Sequence, residues 1–444
     1  MLTAAKTRAS ASNGGMPDRL GRSAPARRAA RRVLAPASLL RVAACWAVLL
    51  LSVAALSQAD PGVTATEIKI GNTVPLSGPA SATGAIATGF AVYFKKINDD
   101  GGVNGRTIDF MSYDDGYSPP RTYELARRLI EQDHVLALVG TAGTPTNTAI
   151  WRYMNEKRVP QLFIMSGASK FNDPKGHPWT MPWLPSYEAE AAVYARYIVE
   201  RLPKARIGIL YQNDDFGKEY LRGFYQGLGP SGRKLVVLEQ SYETTDPTVD
   251  SQVVNLKNSG ADVFLDVTVP KFAAQAIKKA YALGWRPLHF LSFISASIGS
   301  VLKPAGLDVS KGIVTVQFLK DPADPRYEND ADEGDYLAAM RRYAPRHNPY
   351  DPFVLWGYSA AAAFTDALRR CGADVSRESL MRKAASLHNV RVPMLLPEIV
   401  VDTSARDFQP IRRLHLARFD GARWVLFGEL YDTSGPRGAL KPNQ

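Results

Sequence analysis

The chain shows two alternating patterns of apolar and polar residues from position 67 onward. Short apolar runs, typical of buried strands, are each followed by a segment in which apolar residues recur every three or four positions, typical of helices. The first such pair is "EIKIGNTV" (67–74) and a helix pattern with Ile86, Phe90 and Phe94 on one face. Strands that alternate with helices of these lengths predict parallel sheets with right-handed crossovers.

This alternation runs through two successive units, which predicts two α/β lobes. In the first unit we predict strands at 67–74, 107–115, 135–140 and 160–165, with helices that include 119–131 and 144–156. In the second unit we predict strands at 206–212, 234–240, 262–267 and 289–293, with helices that include 249–258 and 270–283. The stretch 176–187, rich in Pro and Trp, is the predicted crossover between the units. Helices near 332–344, 352–370 and 376–387 and an antiparallel hairpin at 412–428 follow.

Two polar loops follow neighbouring strands of the first unit. In "GTAGTPTNTAIW" (140–151) we predict that Thr144 caps a helix and that Pro145 is its first residue. "QLFIMSGAS" (161–169) is a strand that runs into the second loop. The carboxyl ends of neighbouring parallel strands lie at the same edge of a sheet, so we expect the two loops to lie close together. Their hydroxyl groups and the free amides at the start of the helix then form a predicted cradle for a carboxylate.

The first 59 residues differ from the rest of the chain. Residues 1–41 contain nine basic residues and one acidic residue, and an apolar run (42–56) and the small-residue end "SQA" (57–59) follow. This arrangement is typical of a secretory signal peptide, with cleavage expected after Ala59. A membrane anchor is the alternative, but 15 apolar residues fall short of the ~20 that span a bilayer.

Removal of this segment lowers the net charge of the chain from +11 to +3. The basic character therefore belongs to the predicted export signal, and no nucleic-acid-binding face is expected. The six histidines are dispersed, and the motifs of a serine hydrolase, a Walker loop or a dinucleotide-binding loop do not occur. We therefore expect neither an enzyme nor a bound metal or cofactor.

Several stretches resemble the periplasmic solute-binding proteins of branched-chain amino acid ABC transporters. They are "GNTVPLSGPASATG" (71–84), "INDDGGVNGRTIDFMSYDD" (97–115), "LVGTAGTPTNTAI" (138–150), "PQLFIMSGAS" (160–169) and "ILYQNDDFGKEYLRGFYQGLG" (209–229). The resemblance implies an α/β type I periplasmic binding fold, in which three crossovers join two Rossmann-like lobes around a ligand cleft. The expected boundaries are 60–184 with 322–398 for the first lobe, and 185–321 with 399–444 for the second.

The resemblance also implies where the ligand binds. Its carboxylate is expected at the hydroxyls and amides of the two polar loops, at Thr141, Ala142, Gly143, Thr144, Gly167, Ala168 and Ser169. Thr83, after the "SGP" segment, is expected near the ligand, and Phe216 of "DDFG" is expected to close over it from the second lobe. Tyr187, Thr268 and Phe293 complete the candidate site. The aromatic residues suit a flat apolar ligand, and packing in the core is their alternative role.

One stretch departs from the family pattern. Members that bind amino acids hold the ammonium group with an acidic residue in the stretch that matches 289–300, and here this stretch contains no acid. A buried ammonium group without an acceptor is costly. Either Asp214, Asp215 or Asp266 takes this role, or the ligand has no amine. We predict that hydrophobic carboxylates without an α-amino group, aromatic acids included, bind better than leucine.

These observations define the expected function. We expect a monomeric periplasmic protein, exported by a cleaved signal peptide, that delivers a small carboxylate to an inner-membrane ABC permease. The ligand is either a branched-chain or other hydrophobic amino acid, or an aromatic or branched organic acid. The alternative is a periplasmic sensor of the same fold that signals to a membrane partner. Adjacent genes for permeases and ATPases would favour transport, and an adjacent histidine kinase gene would favour sensing.

Overall fold

A computed structural model describes residues 60–435 of the chain. The predicted signal peptide at 1–59 lies outside the described residues, as do residues 436–444. The described residues form two separate sheets with helices packed on them. We call each sheet, together with the helices that pack on it, a lobe.

The first sheet has five parallel strands in the order β2-β1-β3-β4-β5. The strands are β1 (Glu67–Val74), β2 (Thr107–Asp114), β3 (Ala137–Val139), β4 (Gln161–Ile164) and β5 (Thr180–Pro182). The helices α1 (Ile86–Asp99), α2 (Pro119–Glu131) and α3 (Thr144–Glu156) connect the first four strands in turn. Strands β3 and β4 are fully buried and β1 is largely buried, whereas the edge strand β2 is mostly half-buried. The predicted parallel arrangement is confirmed.

The second sheet has seven strands in the order β12-β11-β10-β9-β8-β6-β7. The strands are β6 (Ile207–Gln212), β7 (Val236–Tyr242), β8 (Val263–Val267), β9 (Leu288–Leu291), β10 (Val314–Gln317), β11 (Arg413–Phe419) and β12 (Trp424–Asp432). Its helices are α4 (Tyr187–Arg201), α5 (Asp215–Gly232), α6 (Asp250–Asn258) and α7 (Pro270–Ala282). The first five of these strands are parallel, and β11 runs antiparallel to both β10 and β12. The hairpin predicted near the end of the chain is therefore confirmed.

Three later helices return to the first lobe after β10. They are α8 (Ala331–Tyr343), α9 (Pro352–Arg370) and α10 (Arg377–Ala384). Helix α9 packs so closely on α1 that a Cβ at Gly89 would lie 2.1 Å from the Val354 carbonyl oxygen. A Cβ at Gly357 would lie equally close, 2.1 Å, to the Ile86 carbonyl oxygen. Glycines on both helices thus allow the two backbones to touch.

The chain passes between the lobes at three places, and two of these segments pair with each other. The Lys320 N–H donates to the Met394 carbonyl oxygen at 2.8 Å, and the Leu396 N–H donates to the Phe318 carbonyl oxygen at 3.0 Å. The remaining passage lies between β5 and α4. The exact lobe boundaries given from the sequence stay a prediction.

Two predictions of local structure are wrong in detail. Gly143, with φ 98° and ψ 149°, precedes α3, and Thr144 is the first helical residue and not the cap. The Thr144 hydroxyl is unavailable for capping because it hydrogen-bonds to Ser166. The stretch 176–187 is also not wholly a crossover, because β5 lies within it and pairs with β4.

Candidate functional site

The two polar loops lie side by side at the carboxyl edge of the first sheet. Ala142 and Met165 form a parallel bridge, and the Gly143 N–H donates to the Met165 carbonyl oxygen at 3.1 Å. Gly143 has a φ of 98°, and a Cβ there would lie 2.6 Å from the Tyr117 ring. Only glycine therefore fits where this loop passes Tyr117.

Three hydroxyl groups meet beside the N-terminus of α3. The Thr144 and Ser166 hydroxyl oxygens are 2.8 Å apart, and the Tyr187 hydroxyl lies close to both side chains. Burial raises the pKa of Tyr187 to about 12, so this hydroxyl stays protonated at physiological pH. The first-turn amides of a helix lack intrahelical partners and lie at the positive end of its dipole. Such N–H and O–H donors favour a carboxylate oxygen.

Aromatic and aliphatic side chains from both lobes enclose a small cavity against these donors. The lining residues are Ala80, Thr83, Ile86, Tyr117, Ala142, Gly143, Thr144, Met165, Tyr187, Phe216, Val269, Ile294 and Trp356. They leave a volume of about 30 Å³. Ligand pockets generally measure roughly 300–1,000 Å³, so the lobes are closed tightly over this site. None of the lining side chains is acidic or basic.

Six residues predicted from the sequence line this cavity. They are Thr83, Ala142, Gly143, Thr144, Tyr187 and Phe216. Phe216 comes from the second lobe, where its N–H donates to the Asp214 carboxylate at 2.8 Å in the first turn of α5. The Phe216 and Tyr187 rings meet edge to face, with centroids 5.2 Å apart. The structure thus brings donors of one lobe and an aromatic wall of the other to one place.

The other six predicted residues are not among those that line the cavity. They are Thr141, Gly167, Ala168, Ser169, Thr268 and Phe293. The Thr141 hydroxyl donates to the Asn147 side chain, and the Thr268 hydroxyl donates to Asp266 Oδ1 at 2.6 Å. Ser169 donates to a carboxylate of the second lobe. These three hydroxyls therefore bond within the protein.

Gly167, Ala168 and Phe293 support the cavity from behind. A Cβ at Gly167 would lie 2.8 Å from the Tyr187 ring, so this glycine lets the ring sit against the loop. The Ala168 N–H donates to the Ser166 hydroxyl at 3.3 Å. The Phe293 ring packs against Tyr187, with centroids 6.1 Å apart. Each residue thus positions part of the wall without lining it.

Seven lining residues escaped the sequence reasoning. They are Ala80, Ile86, Tyr117, Met165, Val269, Ile294 and Trp356. Tyr117 has a φ of 62°, an unusual conformation for a large side chain. The turn "DDG" before it marks a loop, but no local pattern shows that the ring points into the cleft. Trp356 lies in an apolar helix, and only the packing of α9 on the first lobe brings it to the cleft.

The acids named as possible ammonium partners also lie outside the cavity lining. Asp266 is fully buried and lies 3.2 Å from His289 Nε2. Asp214 caps α5, and Asp215 pairs with Lys170 at the surface. None of these three carboxylates is therefore among the residues that line the cavity.

One further acid, Glu190, is buried behind the cavity wall. It accepts the Phe293 N–H at 2.8 Å and the Tyr194 hydroxyl at 2.5 Å, and it also bonds to the Tyr220 hydroxyl. Burial raises the pKa of Glu190 to about 8, so the carboxyl is protonated at neutral pH. Glu190 therefore holds the backbone of the cavity wall as a neutral group.

The chemistry gathered around the cavity is that of binding. Hydroxyl and amide donors stand at one end, and apolar and aromatic side chains form the rest of the wall. Between residues 60 and 435, no His, Cys, Asp and Glu side chains group in a way that could hold a metal ion. The helices of this same range include none with the length and apolar character needed to cross a membrane.

Two lobes of this α/β type, closed on a cleft between parallel sheets, define a type I periplasmic binding protein. A family model described as periplasmic binding protein matches residues 67–423. The chain therefore belongs to the periplasmic binding protein family, and it is a solute-binding protein of the branched-chain amino acid type.

Curated relatives agree with this family. A Leu/Ile/Val-binding protein homolog 7 of Brucella abortus is 25% identical over an alignment of 343 positions, which covers 72% of this chain and 81% of the relative. The Leucine-specific-binding protein of Salmonella typhimurium is 22% identical over 312 residues, which are 70% of this chain and 80% of the relative.

Solved structures share the fold. A branched chain amino acid ABC transporter protein from Thermus thermophilus with bound valine has a TM-score of 0.75 at 16% identity, and the match covers 84% of this chain and 98% of that one. A solute-binding protein of an ABC transporter from R. palustris in complex with benzoate has a TM-score of 0.69 at 20% identity, with 85% and 98% covered. At these identities the likeness concerns the fold alone.

Proposed function

We propose that this protein is the solute-binding component of an ABC importer that captures small hydrophobic carboxylates lacking an α-amino group. It binds without turnover, acts as a monomer in the periplasm and hands its ligand to a membrane permease. The observation that carries the ligand class is the cavity itself. Its wall combines hydroxyl and amide donors with aromatic rings and contains no acidic side chain.

The donor end of the cavity supports a carboxylate. Thr144 and Tyr187 present hydroxyls there, and the N-terminus of α3 adds partial positive charge. An ammonium group in the same cleft would lose its hydration without gaining a charged partner, which is costly. The relatives that bind benzoate and valine show that one fold serves both ligand types, so the wall residues decide between them.

The apolar end supports a flat or branched body. Tyr117, Phe216 and Trp356 line the cavity from three different elements and enclose the ligand when the lobes close. A ligand of benzoate size exceeds the closed volume of about 30 Å³, so it enters after the lobes move apart and the rings repack around it.

The test compares ligands that differ only in the amine. Purified mature protein is screened by thermal shift with L-leucine against isocaproate, with L-phenylalanine against hydrocinnamate, and with benzoate. At a hundred times its Kd a ligand stabilises the folded state by about 2.7 kcal/mol, which raises the melting temperature by a few degrees. We expect the amine-free member of at least one pair to give the larger shift. If both amino acids stabilise and no amine-free acid does, the proposed ligand class is wrong.

A further inference from the structure

The loop from Thr141 to Gly143, which we call the cradle loop, has all its carbonyl oxygens bonded within the protein. The Thr141 carbonyl oxygen accepts a backbone N–H of the neighbouring loop at 2.8 Å, and the Ala142 carbonyl oxygen accepts the Thr146 hydroxyl. The Gly143 carbonyl oxygen accepts the Asn147 backbone N–H at 3.2 Å. Anion sites present N–H groups, and a carbonyl oxygen turned toward a carboxylate would repel it. These bonds therefore engage the groups of the loop that would oppose a carboxylate.

Asn147, the fourth residue of α3, makes four side-chain hydrogen bonds at this loop. Its Nδ2 donates to the Gly143 carbonyl oxygen at 2.6 Å and to the Thr141 carbonyl oxygen at 3.0 Å. Its Oδ1 accepts the Thr141 hydroxyl and, at 2.8 Å, Nε2 of Gln161. Asn147 is fully buried, and these bonds use both donors and both lone pairs of its amide. Because carbonyl oxygens only accept, the amide is fixed in one orientation.

A second asparagine in the same helix offers a matched comparison. Asn155 Nδ2 donates to the Trp151 carbonyl oxygen at 2.7 Å and to the Thr180 hydroxyl at 2.9 Å. Its Oδ1 accepts the Trp179 N–H at 2.9 Å. Asn155 thus has the same side chain as Asn147 and also donates to a carbonyl group, but these bonds lie at the end of α3 remote from the cradle loop.

We propose that Asn147 is a positioning residue for ligand binding. Its NH2 group clamps two carbonyl groups of the cradle loop against α3, so the loop presents to the ligand the Thr144 hydroxyl and the first-turn amides of the helix. The proposal rests on the carboxylate cradle of the proposed function. It does not rest on the absence of an amine, because an α-amino acid carries the same carboxylate.

Two substitutions remove the clamp in different ways. Asn147→Leu is similar in size and has no donor, so the cradle loop loses two hydrogen bonds and adopts its binding orientation less often. Affinity should fall by about tenfold or more, since it scales with the fraction of protein in the competent form. In Asn147→Asp an oxygen faces the two carbonyl groups and adds negative charge behind the cradle.

The Asn147→Asp variant also makes the clamp sensitive to pH. Burial beside carbonyl oxygens raises the pKa of the new carboxyl group. Once protonated, the group is uncharged and donates to one carbonyl oxygen again. Affinity relative to wild type should therefore recover by about threefold or more as the pH falls from about 8 to about 6. Asn147→Leu has no such group and should show no recovery.

The experiment uses the mature chain and the strongest ligand of the thermal-shift screen. Titration calorimetry at both pH values gives affinities, each divided by the wild-type value at the same pH, so that titration of the ligand and of other groups cancels. Asn155→Leu and Asn155→Asp are the controls. They should lose folding stability in urea denaturation but keep affinity within about twofold at both pH values.

Hydrogen exchange tests the clamp independently of any ligand. In Asn147→Leu the peptide that contains the cradle loop should exchange roughly tenfold faster than in wild type, and in Asn155→Leu it should not. If no carboxylic acid binds at all, the proposed function fails, and exchange alone then decides whether Asn147 holds the loop.

Three results would overturn the proposal. The first is wild-type exchange of the cradle loop in Asn147→Leu. The second is an affinity of Asn147→Leu within about threefold of wild type, or an equal loss in Asn155→Leu. The third is a relative affinity of Asn147→Asp that does not change with pH. Far-ultraviolet circular dichroism confirms folding, and the Asp variant keeps the test open if the Leu variant does not fold.

Discussion

Thr144 and Thr141 stand three residues apart in one loop, and the structure gives their hydroxyls different tasks. The Thr144 hydroxyl lines the cavity and hydrogen-bonds to Ser166. The Thr141 hydroxyl donates to Asn147, away from the cavity lining. Valine has the shape of threonine but no hydroxyl group. A comparison of Thr144→Val with Thr141→Val therefore separates the role of a hydroxyl in ligand binding from its role in the hydrogen bonds within the loop.

The expected magnitudes follow from these partners. In Thr144→Val a ligand carboxylate loses a charge-assisted hydrogen bond, worth about 1.5–3 kcal/mol, which weakens affinity by roughly ten- to over a hundredfold. The Ser166 hydroxyl still accepts the Ala168 N–H, so the fold persists. In Thr141→Val an uncharged internal bond is lost, at a cost of about 1 kcal/mol in folding stability, with affinity unchanged within about twofold.

Isothermal titration calorimetry with the strongest ligand from the thermal-shift screen measures the affinities, and urea denaturation measures the stabilities. The reasoning about the cradle fails if Thr144→Val binds as tightly as wild type. It also fails if the two variants lose affinity equally, because the loop would then act as a whole and not through the Thr144 hydroxyl.

Two further predictions concern the backbone and the buried acid. Gly143 has a φ of 98°, and in Gly143→Ala the new Cβ would press against the Tyr117 ring. We therefore expect titration calorimetry to show no ligand binding, while the circular dichroism spectrum stays that of the folded protein. Unchanged affinity would contradict this. The pKa of Glu190 rises on folding from 4.5 to about 8, so its stabilising contribution is complete below pH 4.5 and is lost as pH rises through 8. Urea denaturation should therefore show the stability of Glu190→Gln rising relative to wild type over this range, and a constant difference would refute the shift.

The secondary structure was largely readable from the sequence because local patterns determine it. The predicted strand at 67–74 and the predicted helices at 119–131 and 352–370 agree with the structure to the residue. Their ends carry strong local signals, such as Pro119 and Pro352 in the first turn of their helices. Strand β5 was missed because three residues are too few to show a period.

The candidate site was only partly readable, because its assembly depends on contacts far apart in sequence. The loop around Thr144 carried a local signal in its glycines, hydroxyls and proline. Ser169 carried the same signal, but its partner Glu219 on the other lobe could not be read from the pattern. In the same way Glu190, in the first turn of its helix, has the position of an exposed acid, and only tertiary packing shows that it is buried.

The backbone contact between α1 and α9 has a consequence for the order in which the protein folds. Gly89 and Gly357 touch the opposite helix, yet they lie about 270 residues apart in the chain. Bringing two residues together over so long a stretch of chain costs conformational entropy before their contact contributes any favourable free energy. Such non-local contacts slow folding. The first lobe therefore cannot complete its core while the chain is still being synthesised through the second lobe.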